Sequence, residues 1–353
     1  MLKKLQRVLG SGLHRLAIVG ACAIAIAQCG AFAAPAQAIP TPLESFAKAG
    51  RFAITSSEAA WRDGMRHRDV PVRIYTPVTA DAAKEARFPV ILFSHGLGGN
   101  RAGGKLWAEH WASHGYVVVA MQHIGSDDSL WKDRALNERE RGLKSGVTLS
   151  NLGLRAGDVH FAIDEVIRRA GAGDAAFARA DPKRIGMSGH SFGAQTTLAV
   201  AGQKSPNLAG QSGLDTRIVA AVAFSPNARN KNNLARQFGD IRVPFFSITG
   251  TDDGSILDDG TRYQDRMTPY EYMPLGGKYL LVFEGGDHMV FGGHTLGGRR
   301  PETMRDREIQ GRVKSATTAF WNATLNDDES AREWLLAGGL AATLGTDDKF
   351  AAK

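Results

Sequence analysis

Cysteine is nearly absent from this sequence of 353 residues: there are two, Cys22 and Cys29, and none follows. Beyond residue 29 the chain has neither disulfide staples nor a thiol nucleophile, so its core must hold it together unaided. Also missing is any apolar run of the ~20 residues that a membrane-spanning helix needs. The excess of positive charge is small. The formal net charge is +7, and it falls to +3 when the first 38 residues, which carry Lys3, Lys4, Arg7 and Arg15 and no acidic side chain, are set aside. Nothing in that balance marks a nucleic-acid binder. No internal repeat is visible.

What the N-terminus does have is the layout of a targeting segment. Its four basic residues precede an apolar stretch, Leu16 to Ala27, and a small-residue site, Ala36-Gln37-Ala38, follows. This pattern predicts a signal peptide over residues 1–38 that is cleaved on export, leaving a periplasmic or secreted protein without a stable membrane span. Lipidation fits less well, because Gln28 is too large for the position before Cys29.

Residues 39–55 are polar, contain Pro and Ala, and read as a loosely ordered lead-in. Residues 341–353 read as a C-terminal tail. The stretch WRDGMRHRDVPVRIYTP (61–77) suggests two antiparallel edge strands turned at Asp63-Gly64. Near-continuous apolar runs follow at 88–94, 116–122, 217–225 and 243–249, with a shorter one at 184–188 and a sixth at 278–285. Such runs are expected of strands buried on both faces. Helical patterns lie between them, including 157–170 with Val159, Ile163 and Val166 at helical spacing. The alternation predicts an α/β fold over residues 56–340: a mostly parallel sheet with helices on both faces and an antiparallel N-terminal edge. Two polar segments, 124–150 and 254–277, interrupt the rhythm and are candidates for a pocket rim.

Gly189-His190-Ser191-Phe192-Gly193 is a G-x-S-x-G between a short apolar strand and a helix of small residues. That context projects a serine hydroxyl from a strained strand-to-helix turn, with glycines where backbones crowd. A serine needs a base, and the base a carboxylate that fixes its tautomer. On this type of turn the partners follow in the order Ser, acid, His. The turn after strand 243–249 reads GTDDG, offering Asp252 and Asp253, and the end of strand 278–285 leads to Asp287-His288. His288 is the expected base, with His294 a distant second. Asp253 is favoured over Asp252 because the acid usually lies three residues past the strand-ending glycine. The oxyanion donors are expected to be the N–H of Phe192 and, from the flexible SHGLGG loop, that of Leu97.

Other signals are weaker. Gly99 to Lys105 imitates a phosphate-binding loop, but Leu106 stands where a hydroxyl would hold Mg²⁺. The cluster Asp252, Asp253, Asp258 and Asp259 lacks calcium-loop spacing. No metal and no cofactor are expected. His123, Asp127 and His190 are possible pocket-rim residues. Trp131 is a candidate for lining an acyl pocket, while Trp107 and Trp111, four apart on a helix, read as core.

Taken with these residues, the segments VPVRIYTP, FSHGLGGNR, ASHGYVVVAMQH, RAGDVHFAID, DPKRIGMSGHSFG, SITGTDD and GGDH resemble the α/β-hydrolase superfamily. Within it they resemble the platelet-activating-factor acetylhydrolase and dienelactone-hydrolase-like branch of bacterial proteins. The resemblance implies the α/β-hydrolase fold, Ser191, His288 and Asp253 as a catalytic triad, and Leu97 and Phe192 as oxyanion donors. In the acetylhydrolases the acid follows the strand after the nucleophile's helix, and here that strand ends at Ser225-Pro226 without an Asp. The expected activity is therefore that of an exported serine carboxylic ester hydrolase on short-acyl or lipid-like esters. An amidase or peptidase on the same residues, or a non-catalytic exported binding protein, are the alternatives. The N-terminal reading predicts that protein recovered after export begins near Ile39 by N-terminal sequencing; a start at Met1 would refute it.

Overall fold

In strand 88–94 the alternation of side chains sends Val90 and Leu92 to one face and Ile91 and Phe93 to the other, and all seven residues of the strand are buried. A strand with apolar residues on both faces must be covered on both, and that requirement sets the architecture. The computed structural model describes residues 46–79, 87–204, 213–228, 230–255, 257, 259–293 and 301–353. The signal segment with its Ala-Gln-Ala site, His294 and Asp258 lie outside them.

Nine strands among the described residues form one sheet. They are β1 (Ala53–Asp63), β2 (Arg68–Val78), β3 (Phe88–Ser94), β4 (Val117–Met121), β5 (Ala180–His190), β6 (Ile218–Phe224), β7 (Phe245–Asp252), β8 (Lys278–Asp287) and β9 (Lys349–Ala352). Their spatial order is β1-β2-β4-β3-β5-β6-β7-β8-β9. The six strands from β4 to β8 in that order run parallel, and the β1–β2 hairpin and β9 are antiparallel at opposite edges. This is the α/β-hydrolase fold.

The helices are α1 (Lys105–Ser113), α2 (Leu136–Gly146), α3 (Leu149–Gly171), α4 (Phe192–Val200), α5 (Leu234–Phe238), α6 (Tyr263–Tyr272), α7 (Met304–Leu325) and α8 (Glu329–Leu336). One face of the sheet is covered by α1, α7 and α8, where Trp107, Trp111, Phe320 and Trp321 pack on Phe93, Phe224 and Phe246. Trp107 stacks on Phe224 at 5.4 Å between ring centroids. On the other face Val159, Ile163 and Val166 of α3 pack on Val90, Leu92, Val119 and Met187. Helix α4 lies beside them, with Ala194 and Leu198 on Ala221 and Ala223. Among the described residues no helix is long and apolar enough to cross a membrane.

Four segments differ from or add to the sequence-based expectation. Residues 46–55 are not loose: the Phe46 ring meets Trp334, Phe52 meets Phe88, and the Phe52 N–H donates to Ser113 O at 3.0 Å. Two aromatic anchors outweigh the polar composition around them. Strand β1 consequently starts at Ala53, well before Trp61. Residues 349–352 of the tail pair with β8 as the last strand, and the Phe350 ring packs near Phe246 and Tyr279. Finally, the two polar segments are structured, 124–150 by α2 and the start of α3 and 254–277 by α6.

The parallel strands β3, β5, β6, β7 and β8 all end at one edge of the sheet, at Ser94, His190, Phe224, Asp252 and Asp287. Loops leaving that edge converge on a crevice, as open parallel sheets generally arrange.

Candidate active site

Ser191 sits between β5 and α4 with φ 57° and ψ −113°, a left-handed backbone that a side chain with a Cβ adopts only at a cost. The turn is held by the Ser191 N–H donating to Phe224 O at 2.9 Å and by the Gln195 N–H donating to Ser191 O at 3.1 Å. The flanking glycines are needed for room. A Cβ at Gly193 would lie 1.9 Å from the carbonyl oxygen of Ser94, and one at Gly189 would lie 2.4 Å from Gly193 O.

His288 follows β8 and places Nε2 2.9 Å from Ser191 Oγ. Its Nδ1 is 2.7 Å from Oδ1 of Asp253, which lies just past β7 and is fully buried. The Thr249 hydroxyl donates to Asp253 Oδ2 at 2.7 Å, and the buried Arg266 guanidinium is 2.8 Å from Oδ1. Arg266 also donates to the carbonyls of Asp253, Ser225 and Gly254 at 2.6, 2.9 and 2.9 Å. Burial pushes the Asp253 pKa up, but His288, Arg266 and the hydrogen bonds outweigh it and leave the carboxyl below its ordinary value. Asp252 is instead exposed at the end of β7. The position after β6 is occupied by Ser225, with no carboxylate there.

The loop after β3 runs directly over the serine: a Cβ at Gly96 would lie 3.5 Å from Ser191 Cβ. Within that loop the Gly98 N–H donates to Ser126 O and the Gly99 N–H to Gly96 O. Among the described residues no acceptor takes the N–H of Leu97. Phe192 is the first residue of α4, where an N–H has no partner within the helix. Two donors beside a strained serine are what a developing oxyanion needs.

Two cavities have Ser191 and His288 in their walls. One of about 360 Å³ is lined mainly by carbon, including Phe93, Leu97, Trp131 and Met289. The other is a narrower crevice of mixed character, with Gln195, Asn227 and Thr261 beside Val147, Phe192 and Leu257 on its walls. Segment 124–150 thus contributes Trp131 and Val147, and segment 254–277 contributes Ser255, Leu257 and Arg266. Trp131 is fixed by its indole N–H donating to Gly98 O at 2.7 Å.

Of the three rim candidates, only His190 reaches a cavity. Its Nε2 is 2.8 Å from the carbonyl oxygen of His288, so it also steadies the His288 backbone. His123 and Asp127 are not at the rim but buried beneath the loops. The His123 Nδ1–H donates to Asp158 at 3.0 Å, and its Nε2 accepts from the Ser94 hydroxyl at 2.9 Å. Asp127 accepts from Gln122 and Ser129.

These contacts belong to a buried polar network that the motifs do not announce. Asp158 of α3 takes Arg66 and Arg68 as ion-pair partners, and Arg155, one turn earlier, is entirely buried under the β3 loop. A signal for it existed. Arg155 lies four residues before Val159, so it extends the apolar stripe of α3 with a charge. Among the described residues no cluster of three or more His, Cys, Asp or Glu is placed to hold a metal.

The family model described as "Platelet-activating factor acetylhydrolase, isoform II" matches residues 60–148, which span the end of β1, the β3 loop and α2. Fold and match agree. Over those residues the chain is similar to the platelet-activating-factor-acetylhydrolase-like α/β-hydrolases. No curated protein matches it. That similarity supports hydrolysis of ester substrates in general. The matched segment ends before Ser191, Asp253 and His288, so the roles of those three rest on their geometry alone.

Two expectations follow from this geometry. Asp253→Asn should lower kcat/KM by ~10³- to 10⁴-fold, because it disturbs the His288 tautomer, whereas Asp252→Asn should leave it within a few-fold; steady-state kinetics showing the reverse ranking would move the acid to Asp252. The second concerns pH. Burial holds His95 and His190 well below the ordinary imidazole value, His123 at about 4 and His110 at about 3. The unfolded chain takes up these protons near pH 6.5 and the folded chain only at lower pH. Each buried histidine therefore contributes its full stability above ~6.5 and loses ~1.4 kcal/mol per pH unit below it, down to its folded value. Urea midpoints measured from pH 7.5 to 5 should fall steeply below pH 6.5; a flat profile would show that these imidazoles protonate freely in the fold.

Proposed function

We propose that this hydrolase is an exported serine carboxylic ester hydrolase that works through an acyl-enzyme, with Ser191 as nucleophile, His288 as base and Asp253 as the orienting acid. The observation that carries the reading is the hydrogen-bonded line from Ser191 Oγ to His288 Nε2 and from His288 Nδ1 to Asp253 Oδ1, at 2.9 and 2.7 Å. In this scheme His288 Nε2 accepts the Ser191 proton as Oγ attacks the ester carbonyl. The negative oxygen is received by the N–H groups of Leu97 and Phe192. His288 then passes the proton to the departing alkoxide oxygen, leaving an ester on Ser191. Water then attacks the acyl carbonyl from the side that the alcohol left, giving its proton to His288 Nε2, which returns it to Ser191 Oγ as the carboxylic acid departs. Asp253 stays ionised throughout, which its lowered pKa favours.

The cavities bear on substrate choice. A carbon-lined space of about 360 Å³ exceeds twice the ~150 Å³ that takes a benzene ring. It favours an ester with one apolar arm of medium length or with a ring, whose other arm is polar enough for the Asn227 and Thr261 crevice. Export is proposed from the signal-like N-terminus. The deciding measurement is hydrolysis of p-nitrophenyl esters from acetate to palmitate by protein lacking residues 1–38, beside its Ser191→Ala variant. We expect turnover with an optimum at intermediate length and a loss of ~10⁴-fold or more in the variant. Folded protein that turns over no ester, or a variant as active as the parent, would overturn the proposal.

A further inference from the structure

Arg155 is the largest charged side chain that the structure buries completely, and the scheme above gives it no role. Burying a guanidinium costs several kcal/mol of solvation unless its donors are all answered. If the space under the β3 loop only needed filling, an apolar side chain would do so at lower cost. What answers the donors is informative. Nε donates to the Ser126 hydroxyl at 2.8 Å and Nη1 to the carbonyl of His95 at 2.7 Å and to Ser94 Oγ at 3.3 Å. Nη2 reaches the carbonyls of Ser126 and Gly96 at 3.4 and 3.5 Å. Burial lowers the Arg155 pKa to about 9, with Asp158 and Asp127 opposing the shift, so the group stays cationic at neutral pH.

All of these acceptors belong to two segments, Ser94–Gly96 and Ser126, and Ser126 holds the same β3 loop two residues on, its carbonyl accepting the Gly98 N–H. The decisive geometry is that of the Gly96–Leu97 peptide. In a trans peptide the C=O and the following N–H point in opposite directions. The Gly96 carbonyl is drawn inward by Arg155, by the Gly99 N–H at 3.1 Å and by the His95 ring at 2.6 Å. His95 Nε2 accepts the His123 N–H at 3.0 Å, so the ring proton is on Nδ1, where it donates to Gly96 O. A carbonyl held inward turns the Leu97 N–H outward, toward the serine. The same guanidinium lies over the Phe192 ring, 4.4 Å from its centroid, and so braces the residue that supplies the second donor.

We infer that Arg155 is the positioning residue of the oxyanion hole: its buried guanidinium fixes the Gly96–Leu97 peptide and Phe192 so that both N–H groups face the oxygen that becomes negative. This rests on the proposed serine mechanism. It predicts that loosening Arg155 weakens transition-state binding and leaves substrate binding alone.

The test uses protein lacking residues 1–38 and three readouts on Arg155→Lys. These are kcat and KM with p-nitrophenyl butyrate, the inhibition constant of a trifluoromethyl ketone that forms a tetrahedral oxyanion on serine, and the affinity of the matching uncharged methyl amide. Losing one oxyanion donor commonly costs ~10²- to 10³-fold, so a misplaced one should lower kcat by at least about tenfold, with KM changed by less than about threefold. The ketone should weaken by the same factor as kcat, and the amide should bind as before. Ser126→Ala, which removes one acceptor and little volume, should show the same split at about threefold and carries the test if Arg155→Lys does not fold. Wild-type kcat in a folded variant, or parallel losses for ketone and amide, would overturn the inference. Retained turnover in Ser191→Ala would instead remove the serine mechanism itself.

Discussion

The whole site depends on one close approach of backbones. The Ser94 carbonyl at the end of β3 comes so near Gly193, at the start of α4, that a methyl group there would sit 1.9 Å from the oxygen. This contact brings the β3 loop over the serine turn, and it requires α4 to begin immediately after Ser191. With the helix started there, Ser191 has to take its left-handed backbone, and the Phe192 N–H is left at a helix N-terminus without an intrahelical partner. The strain at Ser191, the glycines around it and the position of both donors follow from this one constraint. Its cost is met by the buried strands that fix β3 and β5 side by side.

Loops at strand ends have no ladder to hold their carbonyls, and in this molecule two buried guanidiniums take over that task. Arg155 gathers the carbonyls of the β3 loop, and Arg266 gathers those after β6 and β7, at Ser225, Asp253 and Gly254. Charge-assisted bonds of this sort are about twice as strong as neutral ones and are geometrically demanding, which suits loops that must not drift. His95, His123 and His190 are held toward their neutral forms because burial disfavours the charged ones. Both arginines stand on helices, α3 and α6, whose own positions are set by the sheet.

Much of this was legible in the sequence, for identifiable reasons. Strand β3 and the parallel core could be read because double-sided burial leaves an unbroken apolar run, and Ser191 because crowding on both sides allows only glycine. Asp253 and His288 could be placed because they follow strands that the same runs mark. His123 and Asp127 were misplaced since a polar residue after a strand looks the same whether it faces a pocket or a buried partner. The partners that decide, Asp158 and Arg155, are distant in sequence and speak only through a broken apolar stripe on α3. The lead-in at 46–55 was misjudged because average composition hides two aromatic anchors, Phe46 and Phe52.

The division between chemistry and specificity is less clean than the fold suggests. The proposed reacting groups stand at strand ends, and the cavity walls come from segments 124–150 and 254–277, so the walls could in principle vary without touching the chemistry. Trp131 shows where that separation fails. It walls the apolar cavity and at the same time donates to Gly98 O, in the loop that carries Leu97. Gly98 in turn has φ 70° and no room for a Cβ, which would lie 2.5 Å from Leu143 and 3.0 Å from Trp131. The wall of the apolar cavity is thereby bonded to the loop that carries the proposed oxyanion donor, Leu97. A substitution at Trp131 therefore acts on the Leu97 loop as well as on the cavity, whereas across the crevice Asn227 is bonded to Thr261 and to Gln195 of α4.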